Sequence, residues 1–252
     1  MSISKVSLFS SSDRGWEVGA SSRASFLFLS HTATFKNLII FLLISFAAIT
    51  INAQTEAEFR KILHDRSVKI VNTLEITDSG KYKKIVDLLT DQYFDLNKIH
   101  DKTKESVATI RSLQLPDEEK NGQVKKKEED KTAQLRILHE GFILKLQKDL
   151  ADTQVEKIKD GMTYRVMPIT YGAYLEMILG LTDEQKTKIY NWLKEARELA
   201  MDEGSSDDKH KVFGKYKGKI NNYLSQQGYD MKKEEKAWQE RLKEKRQKDA
   251  PQ

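Results

Sequence analysis

The chain has 252 residues, 43 Lys and Arg against 38 Asp and Glu for a net charge of +5, and no cysteine. Without cysteine there are no disulfides, thiol nucleophiles or thiolate metal sites. So even a balance of charge argues against a nucleic-acid-binding domain.

Residues 38 to 51 read LIIFLLISFAAITI, uncharged, after Lys36 and before the small polar stretch Asn52, Ala53, Gln54. Fourteen helical residues rise about 21 Å, short of a bilayer's hydrocarbon core. The pattern predicts a signal peptide over 36–53 cut near Ala53, with no cysteine after it for lipid attachment. Residues 1–35 are serine-rich and read as a non-structural extension or a start site assigned too early. Export would leave the protein in the periplasm or outside the cell, in contact with a membrane only through the transient signal peptide. Removing Lys5, Arg14, Arg23 and Lys36 with Asp13 and Glu17 lowers the net charge from +5 to +3.

From 54 to 230 apolar residues recur three and four apart and prolines are rare, which predicts an all-α, multi-helix bundle. A first helix opens on the capping box Thr55/Glu58 and carries Phe59, Ile62, Leu63, Ile70, Val71 and Leu74, stopping near Ile76. Thr77 and Asp78 cap a second with Ile85, Val86, Leu89, Tyr93 and Leu96 on its buried stripe, ended by Pro116. The charged run Asp117–Lys131 reads as a solvated turn or frayed start. A third helix carries Leu135, Leu138, Phe142, Leu146 and Leu150, and a short one from Asp152 closes on Gly161 as its C-terminal cap. Met162 to Thr170, MTYRVMPIT, reads as one short extended crossover because Pro168 disfavours helix before it. Thr170 is then expected to cap a short helix, and the box Thr182/Gln185 a longer one to Glu203. Ser205 or Ser206 starts another through Leu224, closed by Gly228, and 231–252 is a charged helical tail. Ile76-Thr77-Asp78 and Leu181-Thr182-Asp183 repeat at an offset of 105, a weak internal similarity that capping preferences alone also produce.

No P-loop, nucleophile elbow, His-Glu-x-x-His, calcium loop or dinucleotide glycine pattern occurs. Neither a metal site nor a cofactor is expected. His100 beside Asp101 could form a proton relay, although a histidine near a helix end more often completes backbone hydrogen bonds. The candidate site is Trp192–Tyr229, where aromatic, amide and basic residues interleave. Gly214 and Gly218 cost helix stability there and imply either a tight helix crossing or a ligand's close approach.

Four segments carry a resemblance: RSVKIVNTLEITD at 66–78, QYFDLNKIHD at 92–101, VEKIKDGMTY at 155–164, and the run from Ala196 through EGSSDDKH to FGKYKGKINNYLSQQGYD. Over about Arg66 to Leu242 the chain resembles exported Bacteroidota proteins built around a domain of unknown function described as sugar-binding. The resemblance implies a carbohydrate-binding module acting beside polysaccharide-utilisation systems, with no catalytic residues to carry over. Glu75 departs from it, standing where the glycine of a Leu-Gly-Leu-Thr turn is expected. The candidate contacts for an oligo- or polysaccharide are Tyr164, Tyr171, Trp192, Arg197, Asp202, Lys209, His210, Lys215, Tyr216, Asn221 and Asn222.

A looser resemblance, through LTDEQ at 181–185 and LADTQ at 150–154, is to periplasmic helical chaperones of the Leu-Thr-x-x-Gln type, which would make the chain a chaperone or adaptor. The third alternative is a glycan-active enzyme using Asp202, His210 and Tyr216 as acid and base. The sequence leaves the oligomeric state open.

Overall fold

The structure is a computed structural model, and it describes residues 56–248; the segment 36–53 read as a signal peptide, residues 1–35 read as an extension and the expected Thr55 cap lie outside the described residues. Every regular element among the described residues is helical: α1 (56–71), then a single 3-10 turn Asn72–Leu74, α2 (Ser79–Ser112), α3 (Asp117–Gln147), α4 (Asp152–Met162), α5 (Val166–Met177), α6 (Asp183–Met201), α7 (Ser206–Gln226) and α8 (Met231–Lys248). The expected all-α bundle is therefore what the chain forms. None of these helices is long and apolar enough to cross a membrane.

The apolar stripes build two cores. In the first, Val71, Ile85, Leu89, Phe142, Leu146 and Ile158 from α1–α4 are buried together, joined by Met201 from the end of α6. In the second, Tyr174, Ile178, Ile189, Leu193, Phe213, Ile220 and Leu224 from α5–α7 pack together. Helix α8 buries no residue and lies against α5 and α7. Its Arg241 donates to the carbonyls of Glu176 and Met177 at 2.8 and 3.0 Å, satisfying acceptors left open at the end of α5.

Helix starts follow the expected capping chemistry. The Asp78 carboxylate accepts from the Lys81 amide at 2.5 Å. Thr182 and Gln185 exchange side-chain and backbone hydrogen bonds at 3.2 and 3.0 Å, a complete capping box. At the other Leu-x-x-x-Gln segment, Gln154 accepts from the Ala151 amide at 3.3 Å and donates to the Leu74 carbonyl at 3.1 Å. Both segments thus serve as helix caps.

Five local expectations are corrected. Residues 117–131 are regular helix, not a turn: Pro116 sits at the N-cap, Asp117, Glu118 and Glu119 meet the helix dipole, and Lys131 pairs with Glu128. The extended crossover is a three-residue turn, Thr163–Arg165, because Pro168 occupies the first turn of α5, where its missing N–H costs nothing. Thr170 is accordingly inside α5. Gly161 is helical and not a cap; a Cβ there would stand 2.7 Å from the Ile70 side chain, so it permits α1 and α4 to meet. Finally, Gly214 and Gly218 face open space with nothing within 4 Å of an added Cβ, so neither a helix crossing nor an enclosing cleft explains them.

Candidate ligand-binding site at the α6–α7 turn

The turn Asp202–Ser205 sits where the two cores meet, and charged side chains converge behind it. Arg197 falls on the buried stripe of α6 between Leu193 and Ala200 and is only 1% exposed. A buried guanidinium requires carboxylates, and α4 supplies them: Asp160 at 2.7 Å and Glu156, with Glu198 of α6 at 3.1 Å. Burial opposes the charge of Arg197, and the hydrogen bonds to Asp160 and Glu156 more than offset it, raising the pKa further above its ordinary value. Lys159 of α4 reaches Glu198 at 2.9 Å.

His139 of α3 extends this network. Its Nδ1 lies 3.0 Å from both carboxylate oxygens of Asp202, and its Nε2 is 3.5 Å from Glu198. The hydrogen bond to Asp202, then that to Glu198, lifts the imidazole to about 9 against the opposing effect of burial. For Glu198 burial pushes the carboxyl up, but His139, Lys159 and Arg197 together draw it down to about 2. The result is an imidazolium held between two carboxylates. His100 of α2 donates from Nε2 to the Asp202 carbonyl at 2.7 Å, so it completes the α6 terminus and forms no relay with Asp101. Gly204 lets that ring approach, since a Cβ would lie 2.7 Å from it.

Two hollows flank the turn. On one side a cleft of about 620 Å³ opens between α3 and α6–α7, floored by Leu135, Leu199 and Val212 and edged by Thr132, Arg136, Glu140, Lys215 and Tyr216. Burial and the Glu195 carboxylate push the Tyr216 hydroxyl up to about 12, and the residue is 8% exposed, so little of its ring is open to a ligand. On the other side a narrower hollow of about 230 Å³ lies among α1, α2 and the start of α7, bordered by Arg66, Tyr93, Tyr164, Glu203, Ser206 and Lys209. Tyr164 and Arg165 both have left-handed backbone, φ 57° and 58°, and the Tyr164 ring stacks on His210 at 5.7 Å. The Lys209 ammonium is buried and donates to the carbonyls of Ala200 and Met201 at 2.9 and 3.0 Å. Burial lowers it to about 8, with Asp202 and Glu203 acting in the opposite sense.

The sequence-selected residues therefore separate. Asp202, Lys215 and Tyr216 line the cleft, while Tyr164 and Lys209 border the second hollow with His210 beside it. Arg197 is internal. Asn221 accepts from the Tyr174 hydroxyl at 2.7 Å in a groove between α5, α7 and α8. Trp192 meets Tyr223 edge-on at 5.3 Å under Lys219, and Tyr171 meets Tyr190 at 5.3 Å, both away from the two hollows; Asn222 is simply exposed. Sequence reasoning missed His139, Glu156, Asp160 and Glu198. Among the described residues no group of His, Asp and Glu is arranged to hold a metal ion.

The family model described as a protein of unknown function, DUF3826, matches residues 60–244. The chain belongs to this family. The match spans every helix from α1 to most of α8, and with it both hollows and the network between them. No curated protein matches the sequence.

Proposed function

We propose that the protein is an exported carbohydrate-binding module whose ligand occupies the cleft between α3 and α6–α7. The observation that carries this is the cleft's make-up: an apolar floor of Leu135, Leu199 and Val212 inside a rim of hydrogen-bonding side chains of both signs. A pyranose presents the matching pattern, apolar C–H faces edged by hydroxyls that need partners. Binding fits better than catalysis by Asp202, His210 and Tyr216, because Asp202 is engaged by His139 and His210 stands with Tyr164 beside the other hollow, apart from Asp202 and Tyr216. The apolar concavity that a chaperone needs is less well matched, since the floor is ringed by charge and the two Leu-x-x-x-Gln segments act as caps.

Isothermal titration of the purified protein with neutral and acidic oligosaccharides tests the reading. Lys215 is exposed at the rim, so Lys215→Ala should weaken binding at least fivefold without moving the melting temperature. No heat from any oligosaccharide at millimolar concentration would defeat the proposal.

A further inference from the structure

The hollow on the far side of the α6–α7 turn has a chemistry of its own. Lys209 is 5% exposed, and its nitrogen contacts only backbone carbonyls; among the described residues no carboxylate stands within ion-pair distance of it. A buried charge without a counter-charge is costly. Arg66, an exposed side chain at the same hollow, has no ion-pair partner among the described residues and lies 5.4 Å over the Tyr93 ring. Tyr93 is 7% exposed, yet its hydroxyl has no hydrogen-bond partner among the described residues, and Arg66 and Tyr164 are the charged and polar groups it senses. The hollow also receives the first residues of α7, a helix of 21 residues whose dipole places positive potential there. Glu203 is the one carboxylate among its lining residues, against the two cations; Asp207 and Asp208 of the first turn of α7 stand outside the lining.

We infer that this hollow is a binding site for a compact oxyanion, a carboxylate or sulfate group, held by Arg66, Lys209, the Tyr93 hydroxyl and the Ser206 and Asp207 amides, the two at the start of α7 that the Ser205 cap leaves open. Its volume of about 230 Å³ admits a single acidic group or one acidic monosaccharide ring, and no longer chain. The inference stands apart from the carbohydrate cleft, because the two hollows have separate linings and share only Glu203 at their borders.

The test is a titration of the isotope-labelled protein, followed by amide NMR at constant ionic strength. Three probes are used: sodium sulfate, sodium glucuronate and, as the uncharged control, glucose. Sulfate or glucuronate should shift the Ser206 and Asp207 amides saturably, and glucose should not. Arg66→Gln, a change at an exposed side chain, should weaken that binding at least tenfold. Tyr93→Phe removes only an unpartnered hydroxyl, so it should fold normally and weaken binding severalfold. Shifts that fail to saturate, or that are equal in wild type, Arg66→Gln and Tyr93→Phe, overturn the site. Sulfate answers for this hollow alone and the Lys215→Ala titration for the cleft, so failure of one is distinguishable from failure of the other.

Discussion

Glu75 stands where the family resemblance expects glycine, and its backbone is left-handed, φ 55° and ψ 39°. A side chain in that region costs about 1 kcal/mol or more relative to glycine. Glu75→Gly should therefore stabilise the fold by about 1 kcal/mol, read as a raised midpoint in urea. Gly214 and Gly218 present the reverse case, glycines in a helix interior with open space where a Cβ would go. Alanine at either should add about 1 kcal/mol, and a loss of stability at both would show that this face is occupied in solution. The buried ion network was also legible in principle. Arg197 lies on the stripe Ile189, Leu193, Ala196, Ala200, and His139 on the stripe Leu135, Phe142, Leu146. A charge at such a position must find carboxylates inside the protein. What the sequence could not supply was which helix brings them, since Glu156 and Asp160 are far away along the chain.

The expectations that failed, like those that held, have causes within individual helices. Starts at Asp78, Thr182 and Ser205 were readable because a side-chain acceptor followed by a free amide is a local signal. Asp117–Lys131 deceived because apolar periodicity fails on a helix segment that projects past the core, where i,i+3 and i,i+4 pairs such as Lys125–Glu129 take its place. At α5 the extended bias of a residue preceding proline gives way, because Pro168 lies in the first turn, where proline is harmless. Helix α8 tests the same idea from the other end. None of its residues is fully buried, and its attachment rests on Met231 packed against the second core, Arg241 at the α5 carbonyls and the Trp238 indole donating to Glu176 at 3.3 Å. Arg241→Ala should cost about 1 kcal/mol and raise hydrogen exchange throughout α8 while leaving α6 and α7 protected. Equal loosening of all three helices would mean that α8 is integral to the second core.

At the scale of the whole molecule, two apolar cores are joined through charged groups, which makes their coupling dependent on pH. The central ion is His139 of α3, faced by Asp202 and Glu198 of α6, with Lys159 and Arg197 behind Glu198 and His100 of α2 on the Asp202 carbonyl. Its folded pKa of about 9 exceeds the ordinary 6.5, so its contribution is complete below pH 6.5 and is lost as the pH rises through 9. Glu198 has the opposite sign: lowered from 4.5 to about 2, it contributes above pH 4.5 and is lost as the pH falls through 2. Lys209 complicates a simple pH scan, because lowering its pKa from 10.5 to about 8 destabilises the folded state at neutral pH and relieves that penalty as the pH rises. The comparison must therefore be between variants, in which the Lys209 contribution cancels. His139→Gln should be less stable than wild type by about 2 kcal/mol at pH 6, as expected for hydrogen bonds to a charged group, and the gap should close by pH 10. Urea midpoints at the two pH values measure it. A gap of equal size at both would mean that the imidazole acts through its shape and not its charge, and the junction between the cores would then owe nothing to this ion.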